Sequence, residues 1–165
     1  MKEIVDELDK ELICALADEG RTSTAEVAER LSVSAPTVRS RLRALIEGGR
    51  FAVAGLIDAF AFKGLTMALV GLTLKEYTLD EKVEQLAALD DVNWAAVVTG
   101  RYDIIVEVVT SEGMSGLYDF LNVSLQDVGG IQSSEMFVVM KAKNKWIRLP
   151  RRLRAEWSGA EGRHR

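Results

Sequence analysis

The sequence predicts an α+β chain: a (winged) helix-turn-helix unit followed by a ferredoxin-like β-α-β-β-α-β unit. Three observations carry this. Residues 1–50 hold three short apolar patterns at helical spacing, two of them opened by capping residues. Residues 66–140 alternate β-rich apolar runs with two amphipathic helical patterns. Charge divides along the chain: residues 1–50 carry 8 basic and 10 acidic side chains, residues 51–140 carry 4 and 13, and residues 141–165 carry 9 and 2. The net charge of −4 over 165 residues therefore hides an acidic middle and a basic end.

Val5, Leu8, Leu12 and Leu16 recur on one helical face, and Gly20 stops that helix. Ser23 and Glu26 form a capping box for a second helix, whose inner face is Val27, Ala28 and Leu31. Ser32-Val33 makes the turn. Ser34 is the N-cap of a third helix, with Pro36 in the first turn, where its missing N–H costs little. Val38, Leu42 and Leu45 mark its core face and Gly48-Gly49 its end. From Ser32 to Ile46 there are three arginines and no acid. At 100° per residue, Pro36, Ser40 and Arg43 point away from the core, with Thr37 and Arg39 on the shoulders. A helix that enters a major groove needs such a face of donors and cations. The candidate DNA-contacting residues are Ser34, Thr37, Arg39, Ser40, Arg41 and Arg43. Arg41 lies nearer the core side, where a phosphate or a local carboxylate is the expected partner.

Phe51–Ile57 is a β-leaning run, read as a wing or a hinge strand, and residues 51–65 as hinge and linker. The second unit, residues 66–143, begins with a strand at Thr66–Leu74. A helix from Leu79 follows, capped by Thr78, with Leu79, Val83, Leu86 and Ala87 on one face. Strands at Trp94–Thr99 and Tyr102–Val109 flank a turn at Gly100-Arg101. A helix over Ser111–Leu125 puts Met114, Leu117, Leu121 and Leu125 in phase, and a last strand spans Ile131–Met140. Residues 144–165 form a basic tail, interrupted by Pro150 and expected to be partly disordered beyond Trp157. For residues 143–157, docking or phosphate contact stands level with a solvated tail, because two tryptophans are costly to leave in water.

Several classes are excluded or disfavoured. The longest charge-free stretch, Gly64–Leu74, has 11 residues, whereas a membrane-spanning helix needs about 20. The opening residues turn acidic at once without an apolar signal region, so a soluble cytoplasmic protein is expected. The single Cys14 forms no internal disulfide and is expected in the core. His164 is the only histidine, so neither a zinc site nor another cofactor is expected.

In this order and spacing the motifs resemble the leucine-responsive/asparagine (Lrp/AsnC, feast–famine) family of bacterial and archaeal regulators. The likeness runs from Val5 to about Lys143. It rests on Val5-Asp6, Asp9, Leu12-Ile13, Leu16, Arg21-Thr22-Ser23, Glu26, Ala28, Ser34, Thr37-Val38, Arg41-Leu42, Leu45 and Gly49. It continues with Val98-Thr99-Gly100-Arg101-Tyr102-Asp103 and Gly130-Ile131. The resemblance implies a transcription regulator with a DNA-binding domain, a hinge and an amino-acid-sensing domain. It also implies homodimers that assemble to octamers or similar rings on palindromic double-stranded DNA.

In that family the loop matching Thr99–Asp103 lines an effector cleft between dimers. Backbone N–H groups at Gly100 and Arg101 suit a ligand carboxylate, Asp103 its ammonium, and Tyr102 its side chain. A tight β-turn with a solvent-facing aspartate is the plainer alternative. Two threonines common on the family's last strand correspond here to Ser134 and Met136, which tilts the expected effector toward apolar or aromatic, or toward none. Ser134 completes the candidate effector set. Phe51 stands where a smaller aliphatic is usual and Ala59 where proline is common.

Two rival functions come from other classes. Proteins of the same two-domain plan resemble haem-precursor decarboxylases, but no histidine lies inside either domain and no nucleophile-base pair stands out. A ligand-sensing module that does not bind DNA is the second.

Overall fold

Every helix of the first unit begins where a side chain satisfies its free N–H groups. The computed structural model describes residues 5–158. Helix α1 (Glu7–Ala17) is capped by Asp6 in a reciprocal box with Asp9. Helix α2 (Thr24–Arg30) carries the Ser23/Glu26 box read from the sequence, with bonds of 2.9 and 3.2 Å. Helix α3 (Ala35–Glu47) starts at Ser34, whose Oγ accepts from the Thr37 N–H at 3.2 Å. Between α2 and α3, Ser32 sits in the left-handed region at φ 54°, and Val33 N–H donates to the Ala28 carbonyl. Leu12, Leu16, Val27, Ala28 and Val38 make the core, with Leu42 and Phe51 packed on it. Cys14 departs from expectation: it is exposed, because the buried stripe of α1 is Leu12 and Leu16 and Cys14 falls between them on the outer side.

The chain divides into two compact units, residues 1–54 and 55–165. The second is built on a four-stranded antiparallel sheet of β2 (Thr66–Leu74), β3 (Val92–Val97), β4 (Ile104–Thr110) and β5 (Ile131–Val138), in the order β3-β4-β2-β5. With α4 (Leu79–Ala87) after β2 and a longer helical segment after β4, this is the ferredoxin-like arrangement. One sheet face meets the helices over Val70, Leu72, Leu86, Ile104, Val106 and Phe120, all at most 1% exposed. Burying each such side chain contributes about 1.5–3 kcal/mol.

Two helical details differ from the sequence reading. Thr78 precedes α4 but makes no side-chain cap bond. The second helical segment is α5 (Gly113–Asp119), a π turn (Phe120–Ser124) and α6 (Leu125–Val128). The Leu125 N–H reaches back five residues to the Phe120 carbonyl, so one extra residue enters the turn. The phase beyond α5 therefore shifts: Phe120 and Leu125 share the core with Leu117, and Leu121 is half-buried. Met114, at the start of α5, is 63% exposed.

The division into linker and tail is also not how the chain folds. Leu56–Asp58 is a strand, β1, and it pairs antiparallel with β6 (Trp146–Arg148) through Leu56↔Arg148, Ile57↔Ile147 and Asp58↔Trp146. Ile57 and Ile147 face inward and join Ala59, Met67 and Val109 in a second apolar cluster. Helix α7 (Arg151–Trp157) follows, with Leu153 buried and the Trp157 ring 5.6 Å from that of Phe62. Of the two alternatives left level for residues 143–157, the packing of β6 and α7 favours docking onto the second unit. Residues 159–165, including His164, lie outside the described residues.

Candidate nucleic-acid interface and effector site

The α3 side chains separate by charge use. Arg39, Ser40 and Arg43 are exposed on the face opposite Val38 and Leu45. Arg39 and Arg43 have no ion pair among the described residues, so both cations remain available. They flank Leu42 and Ile46 in a shallow open groove. Arg41 takes the carboxylate role: it pairs with Asp6 and, at 3.3 Å, with Asp9. The backbone N–H of Asp9 and then the Arg41 guanidinium hold the Asp6 carboxyl below its ordinary pKa, and Asp6 in turn raises that of Arg41. Arg41 therefore fixes α3 against the start of α1. Ser34 and Thr37 are also engaged locally, their hydroxyls 2.8 Å apart at the helix start. Of the six predicted residues, Arg39, Ser40 and Arg43 form the free outer face.

In the second unit the Thr99–Asp103 loop joins β3 to β4. Thr99, Gly100 and Arg101 are exposed, and Gly100 adopts φ 121°, which L side chains rarely reach. Asp103 is less free than a solvent-facing carboxylate. Its N–H donates to the Leu72 carbonyl, and its Oδ2 accepts the Leu74 N–H at 2.8 Å. The β2–β4 ladder stops at Leu72↔Ile104, so this side chain carries the pairing beyond the end of β4.

Tyr102 lies over Gly71 on the sheet face away from the helices. A Cβ at Gly71 would stand 2.6 Å from the ring, so the missing side chain makes the seat. The hydroxyl donates to the Glu135 carboxylate, which raises the Tyr102 pKa. Arg101 pairs with the same carboxylate at 3.1 Å and lies 5.5 Å from the Tyr102 ring centre. The Phe137 ring packs edge-on at 6.5 Å. Glu135 and Phe137 were missed by the sequence reading, which weighed Ser134 and Met136. Period-two alternation along β5 was the available signal.

Ser134 does not join this cluster. It pairs opposite Leu72, on the helix-side face, and lines a separate cleft of about 230 Å³ with Lys75, Leu121 and Gly130. Met136 packs against the helix-side core. A single chain therefore places Tyr102 and Ser134 on opposite faces of the sheet.

A helix-turn-helix with free arginines on its outer face, joined to a ferredoxin-like unit with polar clefts, defines a DNA-binding regulator carrying a ligand-binding domain. Comparison with known proteins agrees. Residues 5–50 match the winged helix-turn-helix DNA-binding model, and residues 67–145 match the Lrp/AsnC ligand binding domain. An uncharacterized HTH-type transcriptional regulator of Pyrococcus furiosus is 32% identical over 144 residues, covering 87% of this chain and 96% of that protein. The solved structure of Escherichia coli AsnC superposes with a TM-score of 0.66 at 26% identity, covering 87% of this chain and 97% of that one. A Neisseria meningitidis transcriptional regulator solved as an L-Met complex shares the fold, with a TM-score of 0.67 at 21% identity over 89% of this chain and 97% of that one. The chain belongs to the Lrp/AsnC family. It is a transcriptional regulator with DNA-binding and ligand-binding domains, and its relatives are regulators rather than enzymes. No helix among the described residues is long and apolar enough to cross a membrane.

Proposed function

We propose that this regulator binds palindromic DNA as a homodimer within a higher oligomer, an octamer by family likeness, and responds to a small amino acid held between C-terminal domains. The observation that carries the DNA reading is the pair of unpartnered arginines, Arg39 and Arg43, on the outer face of α3. Two such helices in a dimer enter major grooves about one helical turn apart. Arg39, Ser40 and Arg43 face bases and phosphates, while Ser34, Thr37 and Arg41 hold the helix in place.

Dimerisation is supported by the sheet face away from the helices. Trp94, Glu107, Leu69 and Phe137 form one row across the four strands, and Trp94 and Phe137 are 38% and 48% exposed. Such a face is suited to cover by a second copy. The effector reading rests on the Gly100-Arg101 backbone for a carboxylate and on Tyr102 and Phe137 for an apolar side chain. The L-Met bound to the Neisseria relative is in keeping with that class. Ser134 and its cleft join the site only if another subunit's loop reaches it.

The test is a gel-shift titration on the DNA upstream of the protein's own gene. Arg43→Ala is expected to weaken binding and to lower the slope of log affinity against log salt by about 0.9 for each phosphate it no longer neutralises. Unchanged affinity and slope between about 50 and 200 mM salt would remove Arg43 from the interface. Adding each of the twenty amino acids then identifies the effector.

A further inference from the structure

We infer that Arg148, Arg151 and Arg154 form a binding site for a phosphate group. The three guanidinium side chains line one cleft of about 270 Å³, where the C-terminal segment crosses the junction of α4 and β3. Among the described residues, no acidic one lines it. All three arginines lie beyond residue 145, where the match to the family's ligand-binding domain ends.

Among the described residues, no ion pair cancels the charges in this cleft. The Arg148 side chain makes no ion pair or hydrogen bond among the described residues. Arg151 donates to the Ala88 carbonyl at 3.1 Å and Arg154 to the Leu149 carbonyl at 3.4 Å. A carbonyl orients a guanidinium without neutralising it, and each arginine has five N–H donors, so most remain unused. Arg152 behaves differently. It pairs with Asp91 at 3.2 Å and Glu112 at 3.0 Å, and so anchors the segment while occupying nearby carboxylates. Buried Leu153 and the pairing of β6 with β1 hold the platform in place.

This arrangement selects among anions. A carboxylate brings one charge and two oxygens, which offsets one of the three cations. A phosphate presents several oxygens and up to two charges, and the planar guanidinium fork matches its geometry. The volume lies at the small end of ligand pockets, which fits a phosphate or pyrophosphate group and not a bulky organic ligand. The phosphate comes either from a free anion or from a DNA backbone.

The experiment uses the full chain and two readouts. Inorganic pyrophosphate is titrated calorimetrically into wild type, Arg148→Ala and Arg151→Ala, and the salt dependence of DNA binding is measured for the same proteins. Arg148 has no partner to lose, so an unchanged melting temperature certifies its variant as folded. A free-anion site gives saturable pyrophosphate binding, weakened about tenfold or more in each variant, with the DNA salt slope unchanged. A backbone site lowers that slope by about one per arginine removed. If neither readout responds to either substitution, the inference is overturned.

Discussion

Replacing Gly71 by alanine tests whether the Tyr102 seat is built as described. The new Cβ would lie 2.6 Å from Cγ and Cδ2 of the ring and 2.7 Å from Cε2, whereas carbon atoms prefer about 3.5–4.0 Å. About an ångström must be recovered. The neighbouring backbone belongs to β2, paired on both sides by β4 and β5, so the ring is the part that yields. Displacing it breaks the bond to Glu135 and the edge-on packing with Phe137. The expected cost is about 1–3 kcal/mol, the usual range for overpacking. With Tyr102 already cut to alanine, the clash has no second party. There Gly71→Ala is expected to be neutral or to stabilise by up to about 0.5–1 kcal/mol, because alanine restricts the unfolded chain. All three tryptophans, Trp94, Trp146 and Trp157, belong to the second unit, so urea unfolding followed by tryptophan fluorescence reports that unit selectively. Equal effects of Gly71→Ala with and without Tyr102 would refute the reasoning.

Glu107 is 1% exposed and is held by Lys145 at 2.6 Å and Asn93 at 2.5 Å, so Lys145→Ala leaves a buried carboxylate without its cation. The same urea titration is expected to show a loss of about 2–4 kcal/mol, and a loss below about 1 kcal/mol would contradict the pairing. For the first unit the perturbation is acid. The folded pKa of Asp6 is depressed, so its contribution is full above about pH 4 and fades as pH falls through the lower folded value. Asp6→Asn is expected to melt below wild type at pH 6, with the gap closing as the pH falls through the lowered folded pKa; a gap independent of pH would rule out the Asp6–Arg41 linkage.

Much of this protein was legible in its sequence because the governing interactions are local. The capping pair Ser23/Glu26 acts over three residues, and the outward arginines of α3 follow from a 3.6-residue period. The β2 strand and the order of elements followed from apolar periodicity and turn residues, which need no partner to be recognised. The family likeness added the expected position of the effector loop. Errors arose where a distant segment or a change of period decided the outcome. One inserted residue at Phe120–Ser124 brought Phe120 and Leu125 together on the core face. Trp146–Arg148 became a strand because a segment far earlier in the chain offered Leu56–Asp58 as a partner. Asp103 was drawn to the Leu74 N–H by the end of a ladder that only strand pairing reveals. Glu135 joined Tyr102, and Ser134 faced the other way, because sheet register sends adjacent residues to opposite faces. Local sequence thus determined the helices of the first unit, the caps at Ser23 and Ser34 and the cationic face, whereas only the tertiary structure decided which polar groups remained free to bind, because that depends on partners far apart in the chain.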